Sequence, residues 1–379
     1  MPSVGEDQLG ELVLSGKIGA ISLDTTAFDR YQCNLNVRAL RGLSQFKGTG
    51  TRFLLSEIVV NEVKSHITAM ATESHTELRI ALNKVRKGWR CDPDIGAVDE
   101  LLGLPKSPEA FAEVFFDDFA DETEPEIVKV EGLVSHDEVI RRYFATEPPF
   151  SKKEAKKSEF PDALALLSLE AWATANKTSV LLVSADGDWR KFAEQSDCLV
   201  VVSELGTALD HFNVSNEVRK TVGRALEMLR KADAADMHDE MERAIELFLE
   251  QFDPEVEAYA SLEYEIDNID PSLQHWAMNA EVDPRILYAS SEIIVFTLSV
   301  TAIVSFEGTF SYSVHDSVDR DYVSLGSDSH ETEETVTIPM TISMQREIEE
   351  EPIVERIEIT PIRVVIDFGS IDPNWDYEE

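Results

Sequence analysis

The chain has 379 residues, 43% of them hydrophobic, which is enough to bury two cores, or three small ones. Its 73 acidic residues outnumber 34 basic ones for a net charge of −39, and the excess is uneven. Residues 1–213 hold 35 acids and 23 bases, a net of −12, while the remaining 166 hold 38 and 11, a net of −27. Non-specific binding of duplex DNA needs a basic face that displaces counterions, which the C-terminal part lacks. Its acidity serves solubility and self-repulsion, or marks a module that competes with nucleic acid or meets a basic regulatory partner.

Cys33, Cys91 and Cys198 are odd in number and show no CxxC spacing, which fits free thiols in a reducing compartment. The N-terminus lacks the basic start and apolar core of a signal peptide. No apolar run approaches the roughly 20 residues that cross a bilayer. Ile293 to Val304, rich in Thr and Ser, reads as a strand. A cytoplasmic protein without membrane contact is expected.

In chain order, Ile21-Ser22-Leu23 reads as a short buried strand ending on Asp24. A helix is expected from about Val37 to Phe46, then a strand at Arg52-Phe53-Leu54-Leu55. Ser56 is a suitable N-cap for a long helix through Glu62 and His66 to Trp89, with Arg86, Lys87 and Arg90 opposing its dipole and Pro93 closing it. Ser107-Pro108 starts another helix, and Ser135 with Glu138 reads as a capping box for a third. Pro148-Pro149 interrupts the chain before a basic run. A helix from Glu159 to about Asn176 leads into SVLLVS, Ser179 to Ser184, an uninterrupted apolar strand of the kind buried in parallel sheets. A turn at Asp186-Gly187-Asp188, a short helix from Trp189 to Gln195 and a strand from Cys198 to Val202 follow. Alternation of strand and helix predicts an α/β domain with a central parallel sheet over residues 1–212.

Residues 213–254 read as a helical connector of two helices, with Ala244, Leu247 and Phe248 at helical spacing. Residues 255–379 read as a mostly antiparallel, acidic β domain, with Gly308 at a turn or bulge and His315 to Glu334 as a loop. That loop and the run Glu347 to Glu351 are where an acidic restraint on access to the first domain is expected to act.

Four acids carry the chemistry. Asp24 and Asp186 end strands, Glu62 lies early in the long helix, and Asp162 opens the apolar helix PDALALLSLEAWA. Each adjoins an apolar element, so each is placed to project into a shared cleft. Carboxylates crowded there raise one another's pKa, and a divalent cation relieves the conflict. Mg²⁺ and Mn²⁺ take oxygen ligands, and such a site activates water against a phosphodiester.

The segments ISLDTTAF, LLSEIVVNEVKSH, PPF with the lysine-rich stretch to EFPDALALLSLEAW, and LLVSADGDWRKF, spanning roughly residues 17–205, resemble the PIN domain. Within that superfamily they are similar to a bacterial PIN-like family formerly catalogued as a domain of unknown function. The resemblance implies a three-layer α/β fold and a Mg²⁺- or Mn²⁺-dependent endonuclease acting mostly on single-stranded RNA. It assigns Asp24, Glu62, Asp162 and Asp186 as the catalytic and metal-binding acids, with Ser184 where Thr is common and Trp189 where Phe is common.

Glu159 lies three residues before Asp162 and is either a further metal ligand or a first-turn dipole partner. Asp188 either reaches the metal or N-caps the helix from Trp189. His66, one turn after Glu62, orients that carboxylate, touches substrate or is an ordinary surface histidine. Arg141, Arg142, Lys152, Lys153, Lys156 and Lys157 form a basic cluster suited to phosphate, with Tyr143, Phe150 and Phe160 interleaved for stacking. Other readings are weaker. Thr26 breaks the Asp-x-Asp of a haloacid-dehalogenase phosphatase, and no twelve-residue calcium loop follows Asp186. A catalytically silent PIN scaffold used for binding and a single-stranded DNA nuclease remain as alternatives, and a homodimer stays open.

Overall fold

A computed structural model describes residues 6–91, 95–105, 107–150, 159–213, 215–279, 283–316 and 321–373. The chain divides into two compact units, Met1–Asn213 and Val214–Glu379.

The first unit runs α1 (Glu6–Leu14), β1 (Ile18–Leu23), α2 (Thr25–Asp29), α3 (Arg38–Arg41), β2 (Arg52–Ser56), α4 (Glu57–Trp89), α5 (Ile95–Leu101), α6 (Pro108–Thr123), β3 (Glu126–Val128), α7 (His136–Ala145), α8 (Phe160–Asn176), β4 (Ser179–Val183), α9 (Gly187–Ala193), β5 (Leu199–Val202) and α10 (Leu205–Phe212). The five strands form one parallel sheet in the order β3-β2-β1-β4-β5, flanked by helices. This is the α/β architecture read from the alternation of elements. β1 and β4 pair from Ile18–Ser179 to Leu23–Val183 and are almost wholly buried, which their uninterrupted apolar sequences require. The chain leaves β1 toward β2 and β3, then returns to β4 and β5 on the other side. The gap between the carboxyl ends of β1 and β4 is therefore the switch point of the sheet, where α/β folds open a crevice.

Ser56 caps α4 by accepting from the Ile58 amide at 3.3 Å, and only the early residues Val59, Val63 and Ile67 are buried. The segment read as one helix from Val37 is α3 followed by a 3-10 turn, Gly42–Phe46. Ser135 precedes α7 without a side-chain cap bond and Glu138 is taken by Arg141 and Arg142, so no capping box forms. Pro93 lies outside the described residues.

The second unit comprises α11 (Asn216–Arg230), α12 (Ala235–Leu249), β6 (Glu255–Tyr259), β7 (Glu263–Met278), β8 (Arg285–Ala289), β9 (Ile293–Asp316), β10 (Asp321–Gln345), β11 (Val354–Ile359) and β12 (Val365–Ser370). An antiparallel sheet runs β11-β10-β9-β7, with β8 also on β9, and β12 pairs with β6 in parallel. Alternate residues of β9, from Ile294 through Phe296, Leu298 and Val300 to Phe306, bury one face. Val218, Val222, Leu226, Met237, Met241, Ile245 and Leu249 of α11 and α12 complete that core, so the helices read as a connector pack on this sheet. The buried stripe of α12 is Met237-Met241-Ile245-Leu249; Leu247, expected on it, is exposed.

Two expectations here were wrong. Of the stretch His315 to Glu334, the described residues are not a loop: His315 and Asp316 belong to β9, and Asp321 to Glu334 of β10 pair with Asp316 to Val304 of β9, with one register shift between Ser324 and Gly326, while residues 317–320 lie outside the described residues. An antiparallel ladder satisfies the backbone whatever the side chains, and Ser, Thr and Glu suit a stretch solvated on both faces. Gly308 is neither turn nor bulge. It lies mid-strand opposite His330 and Ile269, where an added Cβ would meet Phe310 Cε2 at 2.7 Å and Phe368 Cζ at 2.8 Å. Gly308→Ala should therefore destabilise the second unit by about 1–3 kcal/mol through overpacking. Calorimetry of the full chain reads this as a lowered transition; an unchanged one would mean that the two rings turn aside freely.

Candidate active site at the carboxyl edge of the parallel sheet

Asp24 directly follows the buried β1, and its amide donates to Val183 O of β4 at 2.9 Å. The residue is 4% exposed and N-caps α2, with Oδ1 accepting from the Thr25 amide at 2.7 Å. Oδ2 accepts from Ser184 Oγ at 2.7 Å and Thr26 Oγ1 at 2.9 Å. Both hydroxyls also work as acceptors: Ser184 Oγ takes the Asp186 amide at 3.0 Å, and Thr26 Oγ1 takes the Ala185 amide at 3.1 Å. The β1–α2 and β4–α9 loops are laced together around one carboxylate. Burial raises the Asp24 pKa and nearby Asp186 adds to this, while the donors from Ser184, Thr26 and Thr25 oppose it.

Glu62 lies between the buried Val59 and Val63 on α4, and Thr25 Oγ1 donates to its Oε2 at 2.6 Å. Asp162 occupies the first turn of α8, which carries a proline at its start. Trp189, 1% exposed, donates from Nε1 to Asp162 Oδ1 at 2.8 Å. Burial pushes the Asp162 carboxyl up to about 7; repulsion from Asp24, Asp186 and Glu62 adds to this, and the Trp189 bond opposes it. Asp162 thus feels the other three acids, and the four come from four separate elements or their ends. Asp186 N-caps α9, accepting the Asp188 amide at 2.5 Å.

The donor set is all carboxylate, and two of its members are held at raised pKa by burial and mutual repulsion. Both properties fit a hard divalent cation such as Mg²⁺ or Mn²⁺. Among the described residues, the group whose ligand atoms all lie within 4.8 Å of one another is a different one: Asp29, Cys33 and His66.

The remaining expected residues fall in varied places. Asp188 lies in the first turn of α9 and pairs with Lys191 at 2.6 Å, so the cap that was expected of it belongs to Asp186. Glu159 is buried at the start of α8, without a side-chain cap bond, and interacts with Lys191, which also feels Asp186. His66 turns from Glu62 to Asp29, with Nδ1 2.8 Å from Oδ1. Arg141 is bound to Glu138 and Glu147, and Arg142 to Glu138 and Pro148 O with its guanidinium over the Phe192 ring. Phosphate would have to compete with those carboxylates. Tyr143, Phe150 and Phe160 pack on one another, with centroids 5.0–5.5 Å apart, instead of standing open for bases. Lys152, Lys153, Lys156 and Lys157 lie outside the described residues.

Sequence reasoning missed the hydroxyls. Thr25, Thr26 and Ser184 carried a signal only as hydroxyl residues next to the expected acids. Trp189 was noted as a departure from Phe; its indole N–H supplies a bond that Phe lacks.

Residues 21–189 match the family model of the PIN domain, and the match begins within β1 and ends in α9. The N-terminal unit is a PIN domain. PIN domains are generally nucleases and typically use divalent metal ions. No curated protein and no solved structure matches the chain. Among the described residues, no helix of the PIN unit or its neighbour is long and apolar enough to cross a membrane.

The raised Asp162 pKa has a consequence for the metal-free protein. The folded chain holds this proton up to about pH 7, whereas the unfolded chain loses it near the ordinary value of 3.8. Between these values the native state binds more protons, so stability falls as pH rises through the window. Asp162→Asn keeps an acceptor for Trp189 and removes the titration. In EDTA, its denaturation midpoint should exceed that of the wild type by more at about pH 7.5 than at about pH 5. Parallel pH profiles for the two proteins would reject the assignment.

Proposed function

We propose that the PIN domain is a metal-dependent endonuclease that cleaves single-stranded RNA, with Mg²⁺ or Mn²⁺ held by Asp24, Glu62, Asp162 and Asp186. The observation that carries this reading is the effect of Asp24, Asp186 and Glu62 on Asp162 beside the switch point of a PIN-domain sheet. Bound there, the cation would activate water and stabilise charge on the phosphodiester. The chain's own contribution is orientation. Ser184 and Thr26 fix one oxygen of Asp24, Thr25 fixes Glu62, and Trp189 fixes Asp162. Glu159 and Asp188 stand at the margin of this set, with Lys191 moderating their charge.

Single-stranded RNA as substrate rests on the family resemblance. The net charge of −12 on residues 1–213 disfavours tight, non-specific duplex binding. The lysines at 152, 153, 156 and 157 are the cations of the basic cluster best suited to hold phosphate, since Arg141 and Arg142 are engaged within the protein.

Labelled single-stranded RNA, single-stranded DNA and duplex DNA, incubated at low salt with Mg²⁺, Mn²⁺ or EDTA, test the proposal. Cleavage of the RNA with metal and none in EDTA is expected. Asp24→Asn should lower the rate by roughly 10²-fold or more without loss of fold. Preference for DNA would overturn the substrate, and metal-independent or absent cleavage would leave a binding scaffold. Ser184→Ala removes the hydroxyl that links Asp24 to Asp186, so apparent Mn²⁺ affinity in the cleavage assay should fall about 10- to 100-fold, with Ser184→Thr close to wild type. Equal Mn²⁺ dependence in all three proteins would deny Ser184 that positioning role.

A further inference from the structure

α2 and α4 touch at two levels, one helical turn apart. At the first, Thr25 donates to Glu62. Four residues on in each helix, Asp29 Oδ1 lies 2.8 Å from His66 Nδ1. Cys33, in the turn after α2, brings Sγ to 3.4 Å from the same Asp29 oxygen. One sulfur, one imidazole nitrogen and one carboxylate oxygen thus gather within 4.8 Å of one another.

The turn that delivers the thiol is tightly specified. Gln32 and Cys33 both have φ of 50°, a left-handed conformation unfavourable for residues with a side chain. The Cys33 amide is held by Phe28 O at 3.0 Å. Cys33 is buried, whereas the side chains of Asp29 and His66 are 44% and 46% exposed. The cluster thus joins a buried sulfur to two half-exposed partners.

We propose that Asp29, Cys33 and His66 form a zinc site, separate from the carboxylate cluster and different in chemistry. Thiolate and imidazole select Zn²⁺ over Mg²⁺ or Ca²⁺, and three protein ligands with one solvent position form a common tetrahedral zinc arrangement. Bond lengths of about 2.0–2.3 Å to the metal set neighbouring donor atoms roughly 3.3–3.8 Å apart. Asp29 Oδ1 lies 2.8 Å from His66 Nδ1 and 3.4 Å from Cys33 Sγ, and no pair of the three atoms is more than 4.8 Å apart, so small side-chain rotations suffice. Thiolate and carboxylate together offset both charges of the ion. Without metal, burial and then Asp29 push the Cys33 thiol up to about 12, so it is protonated and donates to Asp29. Binding breaks the S–H bond, forms a Zn–S bond and releases the proton to solvent. An occupied site would also clamp α2 to α4 one turn from Glu62.

Cobalt(II) serves as the probe, since a thiolate ligand gives a near-ultraviolet charge-transfer band and tetrahedral geometry gives intense visible bands. The untagged full chain, stripped with a chelator, is titrated with Co²⁺ and then with Zn²⁺. About one equivalent of Co²⁺ should develop both features, and Zn²⁺ should abolish them. Cys33→Ser should lose the charge-transfer band, and His66→Ala should weaken Co²⁺ binding at least about tenfold. Asp162→Asn should leave the spectrum unchanged, which separates this site from the proposed nuclease centre. A wild-type protein without the band overturns the proposal, as does a band that survives Cys33→Ser. If that variant does not fold, unchanged Co²⁺ affinity in His66→Ala, where the imidazole is half exposed, overturns it equally. No readout here depends on nuclease activity.

Discussion

Asp24 has given up most of its water, and an ionised carboxylate in that position is costly unless hydrogen bonds replace its hydration. The replacement comes from an amide and two hydroxyls, Thr25 N, Thr26 Oγ1 and Ser184 Oγ. Because Ser184 and Thr26 also accept amide protons from Asp186 and Ala185, the groups that solvate Asp24 also fold the neighbouring loop. Neither loop can move without exposing or stranding the other's polar atoms. The position of Asp186 follows from that lacing. Thr25, the next residue along, carries the constraint to Glu62. A buried carboxyl group has become the organising point of the crevice.

The parallel sheet explains why acids so far apart in sequence meet. All its strands end at one edge, so the loops after β1 and β4 lie side by side. A helix that follows a strand, as α4 follows β2, starts at that edge, which puts Glu62 in its second turn close by. A helix that crosses back to the next strand, as α8 does before β4, runs opposite to the strands and also starts there. Asp162 in its first turn is the result. Both helices present the positive ends of their dipoles to the carboxylates. The geometry therefore belongs to the topology, and the residues need only occupy strand ends and the first two turns of helices.

That dependence explains what was legible in the sequence. Strand ends and early helical turns can be read from apolar patterning, so Asp24, Glu62, Asp162 and Asp186 stood out as a set. Partners fixed only by tertiary proximity could not be read. His66 could be read as orienting Glu62, touching substrate or lying as an ordinary surface histidine, and none of these named its partner, Asp29 of α2. Arg141 and Arg142 looked available to phosphate until Glu138 and Glu147 were seen to hold them. In the second unit, composition misled: the outer half of β10 is polar on both sides and gave no alternating signal, yet it finds backbone partners in β9. Likewise α12 was recognised as a helix with its buried stripe misphased, because Leu247 and Phe248 outweighed the methionines at 237 and 241.

Strand β7 lies at the margin of the long antiparallel sheet. Over Glu263 to Pro271 it carries Glu263, Glu265, Asp267 and Asp270, and Pro271 has no amide to offer a further strand. At the opposite margin, β11 carries Glu355 and Glu358. A second copy that approached to extend the ladder along β7 would lay carboxylate against carboxylate. Sheets with long, flat, neutral margins polymerise by this route, and charge and proline on the outermost strands block it. The large negative charge of this unit can therefore be understood without any ligand: it keeps a sheet with strands of up to 25 residues from growing into its neighbours.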